Sequence, residues 1–172
     1  MTQVLVVSGD ITRMSADALI AAINSGGAWF GGIDGVINRA AGSLFHAQAR
    51  EAMPLKDGQT IVARSDGHAH DGAFRNVVFV VDDLLQPLRQ IIYNGLKAAS
   101  DAGFVKISLP AIRMGVMLGV VEKSLDEAVS EMATGVRNFL ADHPDTLVQD
   151  ITFVIYGDQR AQPLLESVLK AN

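Results

Sequence analysis

The segment Gly26-Gly27-Ala28-Trp29-Phe30-Gly31-Gly32-Ile33-Asp34-Gly35 decides the fold class, because it joins a buried strand to a helix. The apolar run 18–23 precedes it, and from 36 to about 52 the apolar residues recur at helical spacing. Glycines let a ligand approach the backbone closely, and a helix N-terminus offers unpaired N–H groups. The segment therefore predicts either an anion site, most naturally for phosphate, or a turn needed only for close strand–helix packing.

Strands and helices alternate on both sides of this segment. Apolar, largely β-branched runs predict strands at 3–7, 76–81, 105–109 and 151–156, with a strand and a loop between 59 and 72. Helical spacing predicts helices at 36–52, 85–102 (with Pro87 in the first turn), 125–140 and about 163–171; Ser124 and Glu127 have the spacing of a capping box. The alternation indicates an α/β fold with helices on both faces of a sheet.

Three loops follow predicted strands, at 8–12, 24–35 and 110–119. In open α/β sheets, ligands bind beyond the carboxyl ends of the strands. We therefore expect these loops to form one cleft.

The composition limits the function. The 172 residues predict one domain over 1–172, and 49% hydrophobic residues predict a well-filled core. A net charge of −5 without a basic run disfavours non-specific nucleic-acid binding, although backbone amides can still bind a small anion. The absence of cysteine excludes disulfides and thiolate chemistry, and no apolar stretch is long enough for a membrane helix. Without a signal peptide, the chain is expected to be cytoplasmic.

Several motifs occur in the order of one known family. Gly9-Asp10-Ile11-Thr12, the run ending at Asn24, the segment 31–35 and Arg39-Ala40-Ala41-Gly42 together resemble a macro domain. The spacing from Asn24 to Asp34 is similar to that of the MacroD-type hydrolase branch. The resemblance implies a three-layer α/β/α sandwich with a mixed, largely parallel central sheet that binds ADP-ribose, without a metal or cofactor.

The resemblance assigns one end of the ligand to adenine. Asp10 would accept a hydrogen bond from the adenine amino group, the backbone of Ile11 would contact the ring, and Tyr156 would stack on it. The alternatives are a turn or helix cap for Asp10 and a core aromatic for Tyr156.

The resemblance assigns the other end to the distal ribose. Asn24 would hold ribose hydroxyls, and Asp34 would orient or activate the attacking water; the alternative for Asp34 is a helix N-cap, and both roles are compatible. The two phosphate-binding loops would contribute Gly31, Gly32, Ile33, Gly115, Val116 and Met117.

The chain departs from the family pattern around the second loop and the ribose pocket. Ala21 stands where the family has the first asparagine of an Asn-Ala-Ala-Asn motif that ends at the position of Asn24. Arg113-Met114 stand where the family has Ser-Thr in its second loop. Arg113 either pairs with a phosphate or is a solvated surface charge. Trp29 or Phe30 either forms an apolar wall of the pocket or packs under the loop.

Three functions remain open. The first is hydrolysis of a mono-ADP-ribosyl ester or of O-acyl-ADP-ribose, with ADP-ribosylated protein as a partner. The second is a reader of ADP-ribose without chemistry, and the third is a domain with a blocked pocket acting in protein interaction. The segment His68-Ala69-His70-Asp71 favours a solvated loop over a metal site.

Overall fold

One six-stranded sheet forms the centre of the computed structural model, which describes residues 1–27, 32–113 and 118–170. The strands are β1 (Gln3–Ser8), β2 (Ala16–Ile23), β3 (Thr60–Ala63), β4 (Phe74–Val81), β5 (Lys106–Pro110) and β6 (Asp150–Ile155). The helices are α1 (Gly32–Ala41), α2 (Leu44–Glu51), α3 (Leu88–Asp101), α4 (Leu125–Asp142) and α5 (Ala161–Lys170), with a short 3-10 helix at Ile11–Arg13.

The strand order is β1-β6-β5-β2-β4-β3. All neighbouring pairs are parallel except β3 with β4, which is antiparallel. The sheet is therefore mixed and largely parallel, which confirms the expected fold class.

Strand β2 shows why both faces of the sheet are covered. Successive side chains of a strand point to opposite faces, and every residue from 18 to 23 is buried. Ala18, Ile20 and Ala22 pack in the core formed with α3, α4 and α5, whereas Leu19, Ala21 and Ile23 pack in the core formed with α1 and α2.

The single helix expected from 36 to 52 is wrong, because the structure has two helices there. Gly42 adopts φ +58 and ends α1, and α2 begins after Ser43. Glycine reaches this left-handed conformation without the Cβ penalty, which makes it a common helix stop. The break turns α2 back toward the start of α1.

Two other helix starts differ in detail. Pro87 precedes α3 as its N-cap instead of lying in its first turn. Ser124 caps α4 as expected and accepts a hydrogen bond from Glu127 N at 3.1 Å, but the Glu127 carboxylate accepts from Lys123 N at 3.0 Å instead of from the cap residue.

Candidate functional site

A cleft of about 1010 Å³ lies at the carboxyl ends of the strands, and it is large enough for a nucleotide-sized ligand. Gly9 follows β1, Ala22 lies near the end of β2, and Pro110 and Ile155 end β5 and β6. Residues 32–36 of α1 form another wall, apart from Asp34. Parts of all three loops expected to meet therefore line one cleft.

Asp10 lies at one end of the cleft, at the N-terminus of the 3-10 helix. Its Oδ1 accepts hydrogen bonds from Thr12 N at 2.9 Å and from Thr12 Oγ1 at 2.7 Å. The carboxylate is 43% exposed, and Arg13 Nε lies 3.9 Å from its Oδ2. Asp10 thus caps the 3-10 helix and still presents an acceptor to the cleft, so the expected cap role leaves the ligand role open.

The Thr12 hydrogen bonds also set the charge of Asp10. The side chain and then the backbone of Thr12, with Arg13 and Arg39 adding attraction, hold the pKa of Asp10 below its usual value. The carboxylate is therefore ionised at neutral pH and acts only as an acceptor.

Tyr156 lies beside Asp10 on the cleft wall. It follows β6 directly and is 85% exposed, so the alternative of a core aromatic is wrong. Gly9 N donates to Ile155 O at 3.0 Å, which ties the backbone before Asp10 to the backbone before Tyr156. The phenol ring is thus a free stacking surface at the same end of the cleft as a carboxylate acceptor.

Gly32 and Ile33 begin α1 and line the cleft. The first N–H groups of a helix have no partner within the helix and carry partial positive charge. The predicted binding residue Ile11 also lines the described part of the cleft.

Asp34 is 0% exposed and lies in the first turn of α1. Its Oδ1 is 2.8 Å from Nε2 of His46, which is itself buried in α2, and the His46 ring packs on Phe79 at 4.9 Å between centroids. Asp34 does not line the cleft, although its neighbours Ile33 and Gly35 do. No local pattern in the sequence indicates this contact, because it depends on the break at Gly42 that brings α2 to α1.

Asn24 is half-buried just after β2 and is also absent from the described cleft wall. Its carbonyl accepts from Gly27 N at 3.0 Å, which forms a turn, and the next residue donates its N–H to Asp83 Oδ1 at 2.8 Å. Neither member of the predicted pair, Asn24 or Asp34, therefore lines the part of the cleft wall that the structure describes.

Arg113 lines the cleft, but its guanidinium points to two buried carboxylates. Nε and Nη2 donate to Asp82 at 3.0 and 2.6 Å, and Nη1 donates to Glu122 at 3.0 and 3.2 Å. The side chain is 2% exposed, so the alternative of a solvated surface charge is wrong. Burial lowers the pKa of Arg113, but the hydrogen bonds to Asp82 and Glu122 outweigh it and raise the pKa, so the group stays charged.

Arg39 carries a positive charge and lines the cleft. From the sequence it stands only as the first residue of the motif Arg39-Ala40-Ala41-Gly42. Its Nη1 lies 3.6 Å from where a Cβ on Gly35 would stand, so the guanidinium folds back toward the start of α1. Within the described part of the chain, no carboxylate pairs with it. Arg39 is thus a second candidate, beside Arg113, for donating a hydrogen bond to a phosphate.

The remaining predicted binding residues Gly31, Gly115, Val116 and Met117, together with Trp29 and Phe30, lie outside the described residues.

Over 1–27, 32–113 and 118–170, no group of three or more histidines and carboxylates is arranged to hold a metal ion. In the same ranges, no helix is long and apolar enough to cross a membrane. His70 packs against Phe45 and Phe74, with ring centroids 5.3 and 5.2 Å away.

Comparison with known proteins places this fold among macro domains. The profile of the Macro domain family matches residues 20–129. An O-acetyl-ADP-ribose deacetylase of Escherichia fergusonii is 29% identical over 172 residues, which cover 94% of this chain and 92% of that protein. An uncharacterized protein of Thermotoga maritima is 29% identical over 87% of this chain, and the match covers 26% of that longer protein.

The solved structures agree on the architecture. The macrodomain of Trypanosoma brucei in complex with ADP superposes with a TM-score of 0.79 at 21% identity, covering 96% of this chain and 68% of that one. At this level of identity the likeness shows the fold.

Proposed function

Because the chain belongs to the macro domain family, we propose that its cleft binds ADP-ribose, free or attached to a protein, and that it hydrolyses mono-ADP-ribosyl esters or O-acyl-ADP-ribose. In this reaction one water is consumed, the ester linkage is broken, and ADP-ribose and a carboxylic acid are released. The deacetylase name of the Escherichia fergusonii relative supports an ester substrate.

The observation that carries the proposal is the pairing of Asp10 with Tyr156 at one end of the cleft. A carboxylate that accepts hydrogen bonds suits the amino group of adenine, and an exposed aromatic ring suits its face. A tyrosine that is 85% exposed contributes little to the core, so its position on the cleft wall favours a binding role.

The part of the cleft wall at the start of α1 suits a diphosphate. The first N–H groups of α1, at Gly32 and Ile33, and the Arg39 guanidinium, which forms no ion pair with a carboxylate of the described residues, supply donors and positive charge. A chain of net charge −5 thus concentrates its anion-binding groups locally.

For hydrolysis, Asp34 would orient the attacking water and Asn24 would hold the distal ribose. Asp34 stands between two cleft-lining residues, Ile33 and Gly35, at the helix terminus. His46 would fix the orientation of the Asp34 carboxylate through the 2.8 Å contact.

The burial of Asp34 favours a second candidate function, a reader that binds ADP-ribose without chemistry. A carboxylate with 0% exposure that is paired with a buried histidine is typical of a structural contact between α1 and α2. The two functions share the cleft and differ only in whether Asp34 reaches water when the ligand is bound.

Asp34→Asn separates the two functions, because it retains the side-chain volume and a hydrogen-bonding group for His46. Loss of a general base costs about 10²- to 10⁴-fold in rate, so the variant is expected to lose at least 100-fold in hydrolysis of O-acetyl-ADP-ribose. Its affinity for ADP-ribose, measured by calorimetry, is expected to stay within about threefold.

Asp17→Asn is the matched control, since Asp17 precedes the buried stretch of β2 at the opposite end of the strand and accepts hydrogen bonds from Val105 N and Lys106 N. This variant should hydrolyse the ester at the wild-type rate. Wild-type turnover by Asp34→Asn would refute the catalytic role, and binding without turnover by the unmodified chain would favour the reader.

A further inference from the structure

Leu84 lines the cleft with a backbone conformation that is unusual for leucine. It lies in the loop after β4, is half-buried, and adopts φ +61, a left-handed conformation that a residue with a bulky side chain rarely takes. Such a conformation persists where the surrounding structure imposes it, and strained residues of this kind cluster at binding sites. The loop therefore holds a leucine on the cleft wall at a cost in backbone strain.

Hydrogen bonds on both sides of Leu84 keep the loop in this shape. The Leu84 N–H donates to Asp82 Oδ1 at 3.0 Å, and the Asp82 N–H donates to Ile23 O at 2.7 Å. Arg113 Nη2 donates to Asp82 Oδ1 at 2.6 Å and to Gln86 O at 2.7 Å. The loop is thus anchored to the end of β2 before the leucine and to a buried guanidinium after it.

Leu84 and Tyr156 lie at opposite ends of the cleft. In the sheet, β5 and β2 separate β6 from β4, and neighbouring strands are about 4.8 Å apart, so the ends of β6 and β4 are roughly 14 Å apart. Adenosine and a diphosphate, extended across the strand ends, span a distance of this order. With adenine at Tyr156, the distal ribose and the group that it carries therefore come to the end of the cleft at Leu84.

The described wall at this end of the cleft is apolar apart from one ion pair. The apolar residues are Ala22, Leu84, Ala111 and Ile112. The side chains of Asp82 and Arg113 also line the cleft, but they bind each other and are only 1% and 2% exposed, so they present little polar surface. Apolar side chains favour the burial of methylene groups and give a hydroxyl or a carboxylate no hydrogen-bond partner.

We propose that Leu84 forms an acyl subsite, which selects O-acyl-ADP-ribose with an aliphatic acyl chain longer than acetyl. Resting on the proposed function for the nucleotide part of the ligand, this subsite adds the class of acyl group. Each methylene buried against the leucine strengthens binding by about fourfold. Free ADP-ribose carries no acyl group, so its affinity does not depend on Leu84.

The test uses amide analogues of O-acetyl- and O-butyryl-ADP-ribose, in which a nitrogen replaces the ester oxygen, so that the analogue resists hydrolysis. By calorimetry, the wild-type chain is expected to bind the butyryl amide at least fivefold more tightly than the acetyl amide, because two further methylenes are buried. Equal Kd values for the two amides would overturn the proposal, whether or not the chain hydrolyses esters.

Leu84→Asn removes the apolar side chain, and asparagine tolerates the left-handed conformation. In this variant the Kd values of the two amides should come within twofold of each other, while the Kd for free ADP-ribose stays within twofold of wild type. Leu84→Met keeps an apolar side chain and should retain a butyryl preference of at least threefold. A butyryl preference that survives in Leu84→Asn would overturn the proposal.

Leu85→Asn is the matched control, because Leu85 is the next residue, is 77% exposed and does not line the described cleft wall. It should leave the Kd values of ADP-ribose and of both amides unchanged. If Leu84→Asn loses ADP-ribose binding, the comparison is made with Leu84→Gly, because glycine adopts a positive φ without strain.

The same binding data separate the acyl subsite from the proposed function. Binding of ADP-ribose without discrimination between the amides would retain the proposed function and refute the acyl subsite. Binding of none of the three ligands would refute both. Equal binding of the two amides, with tighter binding of an ADP-ribosylated peptide, would assign this end of the cleft to a protein substrate instead of an acyl chain.

Discussion

The carboxylates of Asp10 and Asp34 show how differently the fold places one residue type. Asp10 is solvated, bound to Thr12 and ionised at neutral pH, whereas Asp34 is fully buried against His46. Because the pKa of Asp10 is lowered, its charge is lost only as the pH falls below the usual range of an aspartate, about 3.9. It is therefore a constant acceptor under physiological conditions.

Asp10→Ala tests the adenine contact. We expect the Kd for ADP-ribose to rise about tenfold or more, since a hydrogen bond to a charged group contributes about 1.5–3 kcal/mol. Calorimetry gives the affinity. Part of any effect could come from the lost cap of the 3-10 helix, so Ser124→Ala, which removes the cap of α4 outside the described cleft wall, is the control. Equal losses of affinity in both variants would contradict an adenine contact.

Among the elements, α3 and α4 approach each other so closely that glycine is required between them. A Cβ on Gly135 would stand 2.7 Å from Arg89 O and 2.8 Å from Ile92 Cβ. The backbone atom cannot move aside cheaply, because it belongs to the first turn of α3. This contact holds α3 in the position from which Leu88 N meets Glu122.

Gly135→Ala should lower the free energy of unfolding by about 1–3 kcal/mol, because overpacking outweighs the gain in helix propensity of about 1 kcal/mol. Urea denaturation measures the change. Ser130→Ala, at an exposed position of the same helix, should leave the stability within about 0.5 kcal/mol of wild type. A stabilised Gly135→Ala variant would show that the helices separate without cost.

At the scale of the whole molecule, the proposed binding groups come from loops after different strands, so only the folded chain brings them to one cleft. Asp10 follows β1, Gly32 begins α1 after β2, and Tyr156 follows β6. An unfolded chain separates these residues and has no site.

ADP-ribose should therefore raise the melting temperature. A ligand at 100 times its Kd stabilises the native state by about 2.7 kcal/mol, and for a chain of this size each kcal/mol shifts the midpoint by about 2–4 °C. Thermal denaturation with increasing ADP-ribose should then show a rise of about 5–10 °C. Adenosine should give a smaller rise, because it lacks the diphosphate that Gly32 and Arg39 are proposed to bind. No shift with ADP-ribose would leave protein interaction as the remaining candidate function.

The sequence predicted the alternation of strands and helices because those signals are local. The apolar run 18–23 and the helical spacing after 124 each lie within one element, and hydrogen bonding inside an element depends on neighbouring residues. The break at Gly42 was missed because the apolar spacing continues across it, although a glycine is what such a break requires.

The amino-acid sequence alone determined the α/β layers and the macro-domain resemblance, since these follow from periodicity and from motifs read in order. Asp10 and Tyr156 are the candidates that this resemblance proposes for the adenine end. Only the tertiary structure decided that Asp34 meets His46, 12 residues away, and that Arg113 meets Asp82, 31 residues away. The physical reason is that a charged residue is solvated or buried according to the partner that the fold brings to it. That partner depends on how helices and loops return to the sheet, which no local pattern records.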